Sequence, residues 1–337
     1  MASGRIVFGA IAVLLIASVS AMAQPAPDCR QAKTPAEKAI CAAPELAEAD
    51  AAMARAYQAL RSLLPAEERA ALLADQRRWV KLRDARCADK ADKADRELAA
   101  CLLAETEQRR RFFEGQGGDG AEAGGLRPAF FHEAKPKRYE IAISYPQFAR
   151  PEGAAQSAFN RAARAIALDA KALSEIRRTG PPPVAGMLSQ YQVDYAVPYL
   201  DQRLASVVFT TFNFAAGAAH PNSSRSALLF DLTEGRALRL ADLLAEPKKA
   251  VGEISSVCRQ QLEGQAKEEG WELFDNADFA AVVGEVTNWA AGKKGVEILF
   301  DPYSVAAYVV GARECRLSYA ELQHWLKPGG PLPPRQQ

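Results

Sequence analysis

Hydrophobic and polar residues alternate most regularly within residues 204–240 of this sequence. The first part, 204–214, is rich in β-branched and aromatic residues at a period of two, which is typical of a strand in a buried sheet. A loop of small residues follows over 215–224, and a returning strand is predicted over 227–232. Residues 233–236 (TEGR) have the composition of a tight turn. Two successive hairpins predict an antiparallel sheet with one apolar face to cover.

Helical periodicity replaces this alternation in the first third of the chain. Residues 34–37 (TPAE) form a capping-box pattern ahead of a short helix. Longer helices are predicted over 44–64 and from residue 66 onward, because apolar residues recur there at three- and four-residue spacing. Pro65 separates the two runs. Residues 29–113 therefore predict a small all-α helical hairpin.

Strands and helices alternate in the second half of the chain. The predicted order, β-α-β-β-β-β-α-α-β-β-α, is typical of an antiparallel sheet with helices packed on one face. The fold class is therefore α+β overall. Outside the central segment, the predicted elements are strands over 139–145, 189–200 and 296–300 and around Cys315, and helices over 156–178, up to about 264, over 276–286 and over 319–326.

Segments without this periodicity mark the boundaries of two predicted domains. Residues 1–23 have the features of a signal peptide. Residues 114–126 are glycine-rich and are predicted to be a flexible linker, and residues 328–337 form a proline-rich tail. The two domains are therefore predicted over 24–113 and 127–327.

The N-terminal segment has the three parts of an export signal. Arg5 precedes an uncharged run over 6–19, and Ala21-Met22-Ala23 supplies a cleavage site. The run is too short to span a membrane comfortably, and an uncleaved anchor helix is the alternative. Ala26-Pro27-Asp28 does not form a lipobox before Cys29. We expect a periplasmic or secreted protein that has no membrane contact after signal cleavage.

Export gives the six cysteines a structural meaning, because an even number in an oxidising compartment favours disulfides. The first half holds four of them and the second half holds two: Cys29, Cys41, Cys87, Cys101, Cys258 and Cys315. The last two are expected to pair. The first four allow three pairings. Because the third helix returns Cys87 toward the start of the second, we favour a bridge between Cys41 and Cys87. Cys29 then pairs with Cys101.

Charge and motifs exclude several classes of function. The formal net charge of +1 gives no reason to expect a nucleic-acid partner. The sequence holds no nucleophile elbow, zinc-protease motif or phosphate-binding loop, and it has three scattered histidines. A glycosidase is the alternative, with its acids drawn from Asp194, Asp201, Asp231 and Asp301. We expect a binding protein that is not an enzyme and that needs no metal or cofactor.

The helical part carries the motif of a known family. The pattern joins Cys29 and Cys41 to Gln76-x-x-Trp79-x-x-x-Arg83-Asp84-x-x-Cys87 and then to Cys101-Leu102. It resembles the LprI-type lysozyme-inhibitor domain over nearly the whole segment. The resemblance implies association with lysozyme or with the cell wall. From the residues alone, Trp79 is a core anchor, and a ligand platform is the alternative.

Three motifs in the second half carry another resemblance. They are Gly217-x-x-His220-Pro221-Asn222, the run Phe230-Asp231-Leu232 with its continuation to Leu244, and Phe300-Asp301-Pro302-Tyr303-x-Val305-Ala306-x-Tyr308-x-x-Gly311. Together they resemble the RsiV-like C-terminal domain, over about 138–326. That domain occurs on lysozyme-sensing anti-sigma factors and beside peptidoglycan deacetylase domains. Ala307 stands where the family usually has a proline, which lets this loop sample more conformations.

Two predicted loops in this half are candidates for partner binding. Recognition residues concentrate on loops that a rigid sheet carries, and aromatic rings make good contact anchors. If 217–224 and 301–311 lie at the same end of the sheet, they form one patch. The alternative places both tyrosine rings in the core beneath the loop. The candidate binding residues are His220, Asn222, Pro302, Tyr303 and Tyr308.

Both resemblances lead to the same hypothesis, a periplasmic protein that binds or inhibits lysozyme. The alternative is a non-catalytic module that binds peptidoglycan or another cell-wall polysaccharide in envelope maintenance. Lysozymes are usually basic, and neither half of this chain has an acidic excess to steer them.

Overall fold

The computed structural model describes residues 29–91, 95–115, 125–184 and 186–332. The predicted signal peptide and the centre of the predicted linker lie outside these ranges. The fold is α+β, as the order of elements predicts. Within the described ranges, no helix combines the length and the apolar character that a membrane crossing requires.

The helices and strands have the following bounds. In chain order the helices are α1 (Pro35–Ala42), α2 (Pro44–Leu63), α3 (Ala66–Ala91), α4 (Asp95–Phe113), α5 (Ala154–Ala167), α6 (Ala170–Arg177), α7 (Leu240–Leu243), α8 (Pro247–Glu269), α9 (Phe279–Val283) and α10 (Tyr319–Leu322). The strands are β1 (Leu126–Lys135), β2 (Tyr139–Phe148), β3 (Ser189–Leu200), β4 (Leu204–Phe214), β5 (Asn222–Asp231), β6 (Arg236–Ala237), β7 (Trp289–Ala291), β8 (Gly295–Phe300) and β9 (Arg313–Ser318).

Residues 29–115 form a helical unit of four helices. The predicted capping box opens α1, with the Thr34 hydroxyl accepting from the Glu37 amide at 3.1 Å. Helix α4 packs against both α2 and α3, so the unit is a small bundle rather than a simple hairpin. Its apolar stripes meet in two buried clusters, one around Leu72 and one around Leu102.

The disulfides of the helical unit correct the predicted pairing. Cys29 is bonded to Cys41, and Cys87 is bonded to Cys101. The predicted bridges Cys41–Cys87 and Cys29–Cys101 are therefore wrong. Both observed bridges are local, with Cα–Cα distances of 5.6 Å and 5.9 Å. Each bridge ties a helix to the chain that immediately precedes or follows it, and the helix directions alone did not reveal this.

Residues 125–332 form a sheet unit around a six-stranded sheet whose strands follow the order β1 to β6. The hairpins from β3 to β6 are antiparallel, as the alternation over 204–240 predicts. The prediction of a wholly antiparallel sheet is wrong at one place, because β2 and β3 pair in parallel. Helices α5 and α6 connect these two strands, since parallel neighbours need a crossover. The edge strand β1 falls partly inside the predicted linker and was not predicted.

Helices α5 and α6 cover one face of the large sheet. Phe159 of α5 is fully buried there and contacts Phe148 and Phe230 edge-on, at centroid distances of 5.3 Å and 5.5 Å. The predicted single helix over 156–178 is two helices, because Asp169 caps a new one by accepting from the Ala172 amide at 2.7 Å. The buried side chains of both helices join those of the central strands in one core.

The opposite face of the large sheet is also covered, which the sequence did not predict. The helical unit packs against β1, and Phe130 of β1 belongs to the same buried cluster as Met53 and Leu72. A separate three-stranded antiparallel sheet, in the order β7-β8-β9, packs against β4 and β5. The Ser206 hydroxyl of β4 accepts from the Ala291 amide of β7 at 3.0 Å. The large sheet is therefore the middle layer of the molecule.

The long helix α8 covers the outer face of the small sheet. The predicted bridge between Cys258 and Cys315 is confirmed, and it joins α8 to β9. Ile254 and Leu262 lie one turn from Cys258 on either side and pack with Ile298 of β8. This arrangement fixes the position of Phe300, the last residue of β8, and of the loop that follows it.

Candidate functional site

The two loops that the sequence selected lie side by side. The His220 ring stacks on the Tyr308 ring with a centroid distance of 4.0 Å and an interplanar angle of 26°. Tyr303 lies 5.4 Å from Tyr308 and 6.3 Å from His220. The predicted meeting of the two loops is therefore confirmed. We call His220, Asn222, Pro302, Tyr303 and Tyr308 the aromatic patch.

Hydrogen bonds fix the inner part of the aromatic patch. The Tyr308 hydroxyl donates to the Pro221 carbonyl at 2.6 Å, and His220 Nδ1 lies 2.9 Å from the same oxygen. Tyr308 is half-buried, so it is both a structural link between the loops and part of the surface. Asn222 is exposed at the first position of β5, opposite Asn213.

Tyr303 is the outermost ring of the aromatic patch. Its side chain is 55% exposed, and its backbone has a φ of 69°. That left-handed conformation is costly for a bulky residue and is often found at functional sites. A large apolar ring held outward on a strained backbone does not serve the core. The alternative that both tyrosines lie in the core is therefore wrong for Tyr303.

The loop that carries the tyrosines is anchored to the end of β5. The Asp301 carboxylate accepts from the Arg225 amide at 2.8 Å. The Arg225 guanidinium spans the small sheet and donates to the carbonyls of Phe300 and Arg313 at 3.2 Å and 2.6 Å. Burial raises the pKa of Asp301, and Arg225 partly offsets this effect. Arg225 carried no signal in the sequence, although it positions both loops.

The loop also supplies an explanation for Ala307. Its φ of −60° is the value that a proline ring would impose. A short 3-10 turn, Tyr308–Val310, follows it and places Val309 outward with 90% exposure. The absent proline therefore leaves the loop in the conformation that a proline favours, next to an exposed apolar side chain.

The signature of the helical unit is a structural network. Two guanidinium groups, those of Arg83 and Arg109, lie over the Trp79 ring at 5.1 Å and 5.4 Å from its centroid. Arg109 also donates to Gln76 Oε1 at 3.0 Å and to the Asp75 carboxylate. Cation–π contacts of this kind stabilise a buried indole. Trp79 is thus a core anchor of the bundle, as the residues alone indicate.

Asp75 is the centre of charge in this network. It is 5% exposed, and both Arg78 and Arg109 donate to its carboxylate. Burial by itself would raise the pKa of Asp75. The charges of Arg109 and Arg78 outweigh burial and hold the pKa below its usual value. A paired buried carboxylate of this kind resists protonation and binds the helices together.

The aspartates of the glycosidase alternative have separate roles. Asp201 accepts from the Leu204 amide at 2.7 Å within the β3–β4 turn. Asp231 accepts from the Thr233 hydroxyl at 2.6 Å and shapes the β5–β6 turn. Asp301 anchors the tyrosine loop, and Asp194 pairs with Arg78 at 3.1 Å. Each carboxylate therefore has its own structural partner, and none of these contacts joins two of them as a catalytic pair.

Comparisons with protein families agree with both resemblances. Residues 29–113 match the family described as Lysozyme inhibitor LprI. Residues 241–320 match DUF3298, a protein family of unknown function. No curated protein matches this chain. The RsiV-like name for the second half stays a prediction.

Solved structures of the second family are similar to part of this chain. A DUF3298 family protein from Pseudomonas aeruginosa PAO1 is 17% identical, with a TM-score of 0.44 over 63% of this chain and 99% of that chain. A DUF3298 member from Bacteroides fragilis NCTC 9343 is 14% identical, with a TM-score of 0.44 over 60% of this chain and 94% of that chain. The chain thus combines an N-terminal region similar to LprI with a C-terminal region similar to DUF3298.

Proposed function

We propose that this protein is exported and binds lysozyme outside the cytoplasm. The observation that carries the proposal is the match of the disulfide-bonded helical unit to a family described as a lysozyme inhibitor. Three disulfides are typical of a protein that folds in an oxidising compartment. Export to the periplasm or beyond follows from the signal-like segment 1–23.

The aromatic patch is the proposed contact surface for lysozyme. Tyr303 offers a large ring with few rotamers, so ordering it on binding costs little conformational entropy. Tyr308 and His220 support that ring from below and are themselves fixed by Pro221. A rigid aromatic centre with a polar rim is the usual anatomy of a binding hot spot.

Charge makes a small contribution to this proposed interface. The chain has a formal net charge of +1, whereas lysozymes are usually basic. Electrostatic attraction would not steer the two proteins together, so contact area and shape have to supply the affinity. We therefore expect an association rate that changes little with salt.

A titration of the mature full-length protein against a panel of lysozymes tests the proposal. We expect saturable binding of at least one lysozyme, with nearly equal affinity at low and high salt. Leu63→Ala is a suitable surface control, because Leu63 is a large exposed apolar residue on the helical unit. No binding to any lysozyme, or binding that is abolished by moderate salt, would contradict the proposal.

A further inference from the structure

A cleft lies where the helical unit meets the sheet unit, apart from the aromatic patch. It has a volume of about 340 Å³, which is within the range of small-ligand sites. Helices α3 and α4 form its walls, and β3 closes its inner end. The residues that line this interface cleft are Asp75, Arg78, Trp79, Leu82, Arg86, Glu105, Gln108, Arg109, Phe112, Asp194 and Tyr195.

The charges of the interface cleft cancel. Three guanidinium groups face three carboxylates, and every one of them is paired within the cleft. Arg86 pairs with Glu105 at 2.5 Å across the mouth. Arg78 pairs with both Asp75 and Asp194, at 2.8 Å and 3.1 Å, and Arg109 pairs with Asp75. A ligand with a net charge would find no free countercharge here, so a neutral ligand fits best.

Hydrogen-bonding capacity nevertheless remains on the walls. Arg78 uses only Nη2 for its carboxylate partners, and its Nε and Nη1 have no acceptor within the described part of the chain. The Asp194 side chain is 57% exposed and keeps free acceptor positions. Gln108 is exposed at the mouth. Donors and acceptors are therefore distributed along the cleft, as a ligand with several hydroxyl or amide groups requires.

Apolar surface completes the interface cleft. Leu82 is 43% exposed at its edge, although large apolar side chains are usually covered. Phe112 and Tyr195 meet at a centroid distance of 5.5 Å and supply aromatic surface between the two units. Sugar rings combine hydroxyl groups at the edge with apolar C–H faces, which matches walls of this mixed character.

We propose that the interface cleft binds a short neutral saccharide. The site is separate from the aromatic patch, and it is built from both units of the chain. A bound saccharide would therefore contact α3, α4 and β3 together and would stabilise their packing by mass action. This inference does not depend on lysozyme binding.

Calorimetric titration of the mature full-length protein with tri-N-acetylchitotriose tests the proposal. We expect saturable binding and a melting temperature that rises with saccharide concentration. Leu82→Arg places bulk and an unpaired charge at the cleft and should weaken binding at least about tenfold. Gln108→Ala should weaken binding in the same direction, because it removes a polar group from the mouth.

Leu73→Arg is the matched control for Leu82→Arg. Leu73 is 40% exposed on the same helix, and nine residues, or about two and a half turns, place it on the opposite face. It should bind the saccharide with unchanged affinity. Failure of the wild-type protein to bind the neutral trisaccharide, or equal affinity in Leu82→Arg, would overturn the proposal.

A third variant separates this proposal from the proposed function. Tyr303→Ala lies outside the interface cleft and should keep full saccharide affinity. A protein that binds saccharide but no lysozyme would refute lysozyme binding alone, and the reverse result would refute the saccharide site alone. Tighter binding of charged trilysine or triglutamate than of the neutral trisaccharide would also overturn it.

Discussion

Arg78 of helix α3 donates to Asp194 of strand β3 at 3.1 Å and thereby joins the two units of the chain. The same guanidinium donates to Asp75 within the helical unit at 2.8 Å. Around this link, the Phe112 ring contacts both Phe130 and Tyr195 of the sheet. The two units therefore share an apolar and ionic interface and are more than neighbours on one chain.

This interface predicts that cutting the chain between the units does not separate them. A protease site inserted within 116–124 should allow complete cleavage, and the two fragments should still migrate together in size-exclusion chromatography. Buried aromatic contacts hold them, since burial of a ring stabilises by about 1.5–3 kcal/mol. Phe112→Ala in the cleaved protein should make the fragments separate at low concentration. Separation of the cleaved wild-type fragments would contradict the shared interface.

The buried carboxylate of Asp75 predicts a large loss of stability in one conservative variant. Asp75→Asn leaves Arg109 buried without its charge partner, so the free energy of unfolding should fall by about 3–5 kcal/mol. Glu297→Gln is the control, because its ion pair with Arg316 is exposed and should contribute less than about 1 kcal/mol. Urea unfolding at neutral pH measures both.

The same variant has a defined pH dependence. The pKa of Asp75 is lower in the folded protein than in the unfolded chain, because Arg109 and Arg78 outweigh the effect of burial. Its stabilising contribution is therefore fully present above the unfolded pKa of about 3.9 and is lost as the pH falls through the folded pKa. The stability difference between wild type and Asp75→Asn should shrink from pH 7 to pH 3. A constant difference would show that Asp75 acts through packing alone.

The disulfides predict both a connectivity and an order of stability. Non-reducing peptide mapping should recover Cys29 with Cys41, Cys87 with Cys101, and Cys258 with Cys315. Replacing Cys258 and Cys315 by alanine should cost about 4 kcal/mol, because that bridge closes the longest loop.

Replacing Cys87 and Cys101 by alanine is the comparison for that bridge. With a sequence separation of 14, it should cost about 3 kcal/mol in the same chain-entropy account. Equal destabilisation by thermal unfolding, or a recovered Cys41–Cys87 peptide, would contradict the structure.

The elements that the sequence predicted well are those whose pattern is local. The hairpins from β3 to β6 followed from alternation and turn composition, because each strand there pairs with its neighbour along the chain. Helices α2 and α8 followed from their apolar stripes. The aromatic patch was also predictable, since it lies on two loops at strand ends.

The remaining features depend on contacts between distant parts of the chain. Strand β1 shows little alternation, because Phe130 packs on the helical unit while Ala129 packs on the opposite face. Its Pro128 also argues against a strand, although proline is tolerated at a sheet edge. The charges of Arg78 and Arg225 are typical of solvent-exposed residues, and only the fold shows that each bridges two layers.

The strained backbone of Tyr303 predicts an unusual separation of stability from function. Tyr303→Gly relieves a left-handed conformation in an exposed loop and should raise the free energy of unfolding by about 0.5–1 kcal/mol. The same change should abolish the aromatic contact with lysozyme. Chemical unfolding and a binding titration of the same variant check both effects. A loss of stability would show that the ring supports the fold.

The most direct test of the central claim is the dissociation constant of the complex between the mature protein and a lysozyme that it binds. Removal of a hot-spot ring costs about 2 kcal/mol, so Tyr303→Ala should weaken binding roughly thirtyfold. Tyr303→Phe keeps the ring and should bind almost as wild type does, and the melting temperature of Tyr303→Ala should stay close to that of wild type. An unchanged dissociation constant for Tyr303→Ala would contradict the account and would place the binding surface outside the aromatic patch.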